Sequence, residues 1–140
     1  MGAIAAIAAA VFAWLTWDAS RRLVSITFVH VNPDYIGRGA HLIVRLRARR
    51  SEVFVRQVAI LPRHGQGLKS EVVAGSRLGL LKQGTTASVV FPWTELHFLH
   101  VDRARGPARW IGWYDAEDRF NRQPIPKEWR DRFRHPDASQ

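Results

Sequence analysis

Glu95, His97, His100 and Asp102 are the side chains whose types and spacing come nearest to a reactive cluster. On a helix His97 and His100 would share a face, as two imidazole ligands of a metal must. The spacing is not that of the HExxH motif, and the apolar residues among them point to packing, so a capping or surface role is expected and no metal ligand is assigned. Asp115, Glu117 and Asp118 could pair for acid–base work, but Asp-Ala-Glu-Asp between two strands is ordinary turn composition. Serine, histidine and aspartate occur without a nucleophile-elbow pattern, and the glycines at 37–39 and 65–67 lack the length and lysine of a phosphate-cradling loop. With no cysteine in the chain, a disulfide, a thiolate metal site and a cysteine nucleophile are excluded. The expectation is therefore a protein that is not an enzyme, with no catalytic residue, cofactor or small-molecule substrate.

Charge is the stronger signal. The 140 residues carry a formal net charge of +9, and no charged side chain precedes Asp18, so all of it belongs to the part after the first apolar run. Such a surplus implies an acidic partner, whether lipid, nucleic acid or protein. Strand periodicity places Arg45, Arg47 and Arg49 on one face, with Arg50 and Arg56 near in sequence, and together they are expected to form a basic patch. The competing reading is a solvated outer sheet face kept soluble by arginine. Trp110, Trp113 and Trp129 lie at or near element ends and form a candidate aromatic contact surface, although Trp110 and Trp113 face opposite ways on a strand.

The residues that would present this surface to a membrane come first. Residues 1–17 interrupt an apolar run only with Gly2 and Thr16, and as a helix would reach roughly 25 Å, near the lower limit for a bilayer span. Trp14 and Trp17 stand where indoles sit at the lipid–water boundary, and Arg21 and Arg22 follow in the headgroup layer. No basic residue precedes the run and no small-residue cleavage site ends it, so a retained anchor fits better than a cleaved signal peptide. Because every Lys and Arg follows the helix, the favoured orientation is single-pass with the C-terminal domain in the cytoplasm. The alternative is an Ala-rich helix packed in a larger assembly.

Residues 23–140 read as one domain, joined to the helix by residues 18–22. Strands are expected at 23–31, with Val24, Ile26 and Phe28 on one face, and at 41–48, with Leu42, Val44 and Leu46 inward. A third at 53–61 changes phase near Arg56–Gln57, the mark of a β-bulge. A short strand near 71–73, another at 84–91, and a hairpin of 109–115 and 119–125 follow, with helical pieces near 92–99 and 126–134. Short strands separated by turn signals favour an antiparallel β-sandwich.

The stretches HLIVRLRARRSEVFVRQVAIL, GTTASVVFPWTEL and WIGWYDAEDRFNRQPIP, in this order behind an apolar helix, resemble a group of small bacterial and phage proteins of unknown function. That group joins an N-terminal membrane helix to an immunoglobulin-like β-sandwich. The resemblance implies an all-β, immunoglobulin-like domain on a single transmembrane helix in the bacterial inner membrane. It offers no functional residue to carry over. Its members have a longer linker, whereas only residues 18–22 intervene here, which would hold the domain close to the bilayer. The expected function is a membrane-anchored interaction module, an accessory subunit of a larger membrane complex, with its basic face toward anionic lipid or an acidic protein. A nucleic-acid-binding sandwich using the arginines and tryptophans is the alternative.

Overall fold

The structure is a computed structural model that describes Ile4, residues 6–11, Trp14, and residues 23–31, 41–73 and 76–136. Ten strands and two short helices make up the described domain. The strands are β1 (Val24–Val31), β2 (His41–Ala48), β3 (Val53–Val55), β4 (Gln57–Pro62), β5 (Leu68–Lys69), β6 (Glu71–Val72), β7 (Gly79–Leu81), β8 (Thr86–Pro92), β9 (Ala108–Tyr114) and β10 (Phe120–Pro124). The helices are α1 (Trp93–Val101), between β8 and β9, and α2 (Lys127–Phe133), after β10.

All pairings are antiparallel. One four-stranded sheet has the order β1-β2-β8-β6, a second the order β10-β9-β4-β5, and β3 and β7 form a separate two-stranded ribbon. The period-2 alternation of β2 explains its placement: Leu42, Val44, Leu46 and Ala48 are fully buried, while Arg45 and Arg47 between them are exposed. The same alternation in β8 buries Ala87, Val89 and Phe91. One core unites these with Val58 and Ile60 of β4 and Ile111 and Trp113 of β9. Inward faces of both four-stranded sheets thus share a single apolar interior.

The helices close one end of that interior. Trp93, Leu96 and Leu99 turn from α1 into the core, and Phe133 of α2 meets Trp93 edge-on at 5.5 Å. The Trp93 indole N–H donates to the carbonyl of His135 (2.9 Å), and His97 Nδ1–H to that of Phe133 (3.0 Å), so α1 ties down the C-terminal end of α2. Trp129, one turn before Phe133, stacks on Phe28 of β1 at 5.6 Å. On the flank between the two sheets, the buried Gln123 amide of β10 donates to the Val24 carbonyl of β1 (3.1 Å).

Several boundaries differ from those the sequence predicts. The phase change at Arg56 is real, but it is a change of partner: β3 pairs with β7, and β4 pairs with β9 and β5. Leu23 is helical and β1 begins at Val24, Pro92 still belongs to β8, and α1 runs two residues beyond Leu99. The short strands β5 and β7, with two and three residues, are too brief to show periodicity. The turn at 32–39 and the linker at 18–22 lie outside the described residues. Ile4, residues 6–11 and Trp14 are helical and exposed; no helix among the described residues is long and apolar enough to cross a membrane.

Candidate functional site

Two hydroxyl–guanidinium–hydroxyl rows cross the outer face of the β1-β2-β8-β6 sheet. Register places Thr27 and Ser88 on either side of Arg45, and Ser25 and Thr86 on either side of Arg47. These residues face outward because their neighbours Val24, Ile26, Leu46, Ala87 and Val89 face the core. Both guanidinium groups are exposed, and none of the ion pairs among the described residues involves them. Guanidinium forks beside hydroxyls suit phosphate and carboxylate oxygens, since each planar fork offers paired donors to an anion.

Arg49 and Arg50 extend the positive surface past the end of β2. The Arg49 amide donates to the Leu23 carbonyl (2.9 Å), and its carbonyl accepts from the Gln83 amide (3.3 Å). The basic end of the face is therefore the end at which Leu23 leads into β1. Arg56 does not join it. Lying at the β3–β4 switch, Arg56 donates its backbone N–H to the Tyr114 carbonyl of the other sheet and pairs with Asp118. Of the five arginines grouped by sequence, Arg56 stands apart, because the change of partner there carries the chain from one ladder to another.

The three tryptophans separate as well. Trp113 is 1% exposed, so it is a core residue and no contact surface. Trp110 is half-buried on the outer face of the second sheet, with the guanidinium of Arg122 4.3 Å from its ring centre and that of Arg109 at 5.4 Å. Trp129 is half-buried between Phe28 and the Arg132 guanidinium, the latter 4.3 Å from its ring. These rings are thus engaged by the protein's own side chains. Of the residues predicted at the membrane interface, Trp14 is helical and 54% exposed; it continues the spacing of exposed Ile4, Ile7 and Val11 along one helical face. Trp17, Arg21 and Arg22 lie outside the described residues.

The histidine cluster is structural. His97 is spent on the Phe133 carbonyl, and His100 is buried, its Nδ1 accepting the Ala108 backbone N–H (3.2 Å). Burial holds the His100 pKa below the ordinary histidine value; Arg134, His97 and Arg130 push the same way, and Asp131 opposes them. Asp102 caps its own turn, accepting from the Ala104 amide (3.0 Å) and pairing with Arg105 (2.9 Å). Among the described residues no group of three or more His, Asp or Glu side chains is arranged to hold a metal. Asp115 likewise builds its turn: its Oδ1 accepts from the amides of Glu117 and Arg119 (3.0 Å each), and these bonds hold its carboxyl below the usual range.

Comparisons with protein-family models, with curated proteins and with solved structures found no match.

Proposed function

We propose that this protein is a membrane-anchored interaction module without catalytic activity, whose Arg45–Arg47 face lies against anionic lipid headgroups. The observation that carries this reading is the pair of exposed arginines that lie outside the ion pairs of the described residues, placed toward the end of the sheet at which β1 begins. Each cation near an anionic leaflet contributes about 1 kcal/mol, so anchor and face act together. The domain is an immunoglobulin-like sandwich on this reading: the orders β1-β2-β8-β6 and β10-β9-β4-β5 correspond to an A-B-E-D sheet facing a G-F-C-C′ sheet around one core. The helix passes once through the bacterial inner membrane with the domain in the cytoplasm, where the anionic leaflet is found. A larger membrane complex would use the same placement, with the protein as an accessory subunit.

The nucleic-acid reading draws on the same arginines but needs open aromatic faces for base stacking. Trp110 and Trp129 give it little support, since arginines lie over both rings. The test is flotation of the full chain with neutral vesicles and with vesicles containing anionic lipid, beside single-stranded oligonucleotide binding. Arg45→Gln with Arg47→Gln should weaken the anionic preference by roughly thirty-fold, the equivalent of about 2 kcal/mol. The exposed pair Arg63→Gln and Arg103→Gln, which removes the same charge near α1, should leave it nearly intact. Equal loss in both pairs, or binding to oligonucleotide without vesicle preference, would overturn the proposal.

A further inference from the structure

The β3–β7 ribbon presents an apolar pair to solvent. Phe54 and Leu80 are cross-strand partners, 40% and 57% exposed, while their neighbours Val55 and Leu81 are buried in the core. Phe54 and Leu23, the latter also exposed, line a shallow cleft of about 300 Å³ whose lining also carries Glu52, Asp115 and Glu117, so the ribbon lies at the end of the domain where β1 begins. Scattered single apolar residues on a surface are ordinary. A paired set at the end where β1 begins, beside exposed Leu23, calls for an occupant.

The charges around the pair indicate which one. Arg49, Arg50 and Lys82 are exposed in the turns beside the ribbon and lie outside the ion pairs of the described residues; Arg45 and Arg47 continue them along the adjoining sheet. Among the described residues, the carboxylates of the same end are largely engaged: Asp118 with Arg56, Glu117 with Arg119, and Asp115 within its own turn, which leaves Glu52. A second exposed apolar pair, Phe98 and Val101 on α1, shares its groove with Glu95 and Asp102, and its Arg105 is tied to Asp102. Of these two sites, the ribbon end is the one that joins apolar side chains to cations outside the ion pairs of the described residues.

We propose that the Phe54–Leu80 ribbon is a membrane-contacting tip. Its two side chains enter the headgroup–acyl boundary of an anionic leaflet, and Arg49, Arg50 and Lys82 meet the lipid phosphates and carboxylates around them. This rests on the anchored reading and refines its orientation: the Arg45–Arg47 face meets the headgroups from its ribbon end, so the domain is tilted with its α1 end farther from the bilayer. Because the chain has no cysteine, Leu80→Cys and Phe98→Cys each give one labelling site for a polarity-sensitive fluorophore in the full-length protein. On vesicles of neutral and anionic lipid, the label at 80 should shift to the blue and be quenched by brominated acyl chains, and the label at 98 should do neither. Vesicle-bound chain with the label at 80 still in water, or with the label at 98 quenched instead, would overturn the tip while leaving the anchored reading in place. Failure of either labelled chain to bind vesicles of any composition would overturn both.

Discussion

His100 couples proton binding to the packing of the helical end. Its Nδ1 is an acceptor for Ala108, so the neutral ring is the form the fold uses, and burial lowers its pKa. The folded protein therefore binds fewer protons than the unfolded chain as pH falls through about 6.5, the ordinary histidine value. The stability this group contributes is present above that pH and is lost as pH falls toward the folded pKa. Thermal melts from about pH 8 to about pH 5 should show a declining Tm, and His100→Asn, which retains an acceptor but does not titrate, should flatten the decline. An unchanged slope in His100→Asn would assign the effect to other histidines. At Asp115 the carboxylate holds two amides of the hairpin turn. Asp115→Ala should speed hydrogen exchange at Glu117 and Arg119 and leave the core of β9 protected; unchanged exchange at those amides would remove that role.

The β9–β10 hairpin depends on a close approach that only glycine permits. A Cβ on Gly112 would stand 2.1 Å from the Asn121 carbonyl oxygen, a backbone atom that cannot swing aside. Gly112→Ala should cost about 1–3 kcal/mol in chemical denaturation, as overpacked interiors do. On the opposite flank, Phe133 is fully buried against Trp93 and His100. Phe133→Ala should cost about 3–5 kcal/mol and release α2, detectable as new protease sensitivity after residue 126. Strands β2 and β8 are legible in the residues because their burial alternates with period 2, and β1 and the β9–β10 hairpin are legible from their β-branched and aromatic runs and turn residues. The i, i+4 pair Trp129 and Phe133 likewise announced α2. The change of partner at Arg56 was visible only as a slipped phase, since a bulge and a switch between ladders leave the same pattern in one strand. Strands β5 and β7 carried no signal, being shorter than one full alternation.

For the whole molecule, the candidate site was half legible. Arg45 and Arg47 were recoverable from strand periodicity, but their hydroxyl neighbours Ser25, Thr27, Thr86 and Ser88 come from strands distant in sequence and needed the register. The Phe54–Leu80 pair was hidden for the same reason: a cross-strand contact has no local spacing. On the proposed reading that joins these parts, an apolar helix would hold the chain in the membrane, and the basic face and ribbon end would fix how the domain sits upon it. The proposed anchored cytoplasmic placement is tested by fractionating bacterial cells that produce the full chain with a C-terminal tag, followed by protease treatment of intact spheroplasts. The chain should stay with membranes through alkaline extraction, and its tag should be degraded only after the spheroplasts are lysed. A chain recovered in the soluble fraction, or a tag cut in intact spheroplasts, would contradict it.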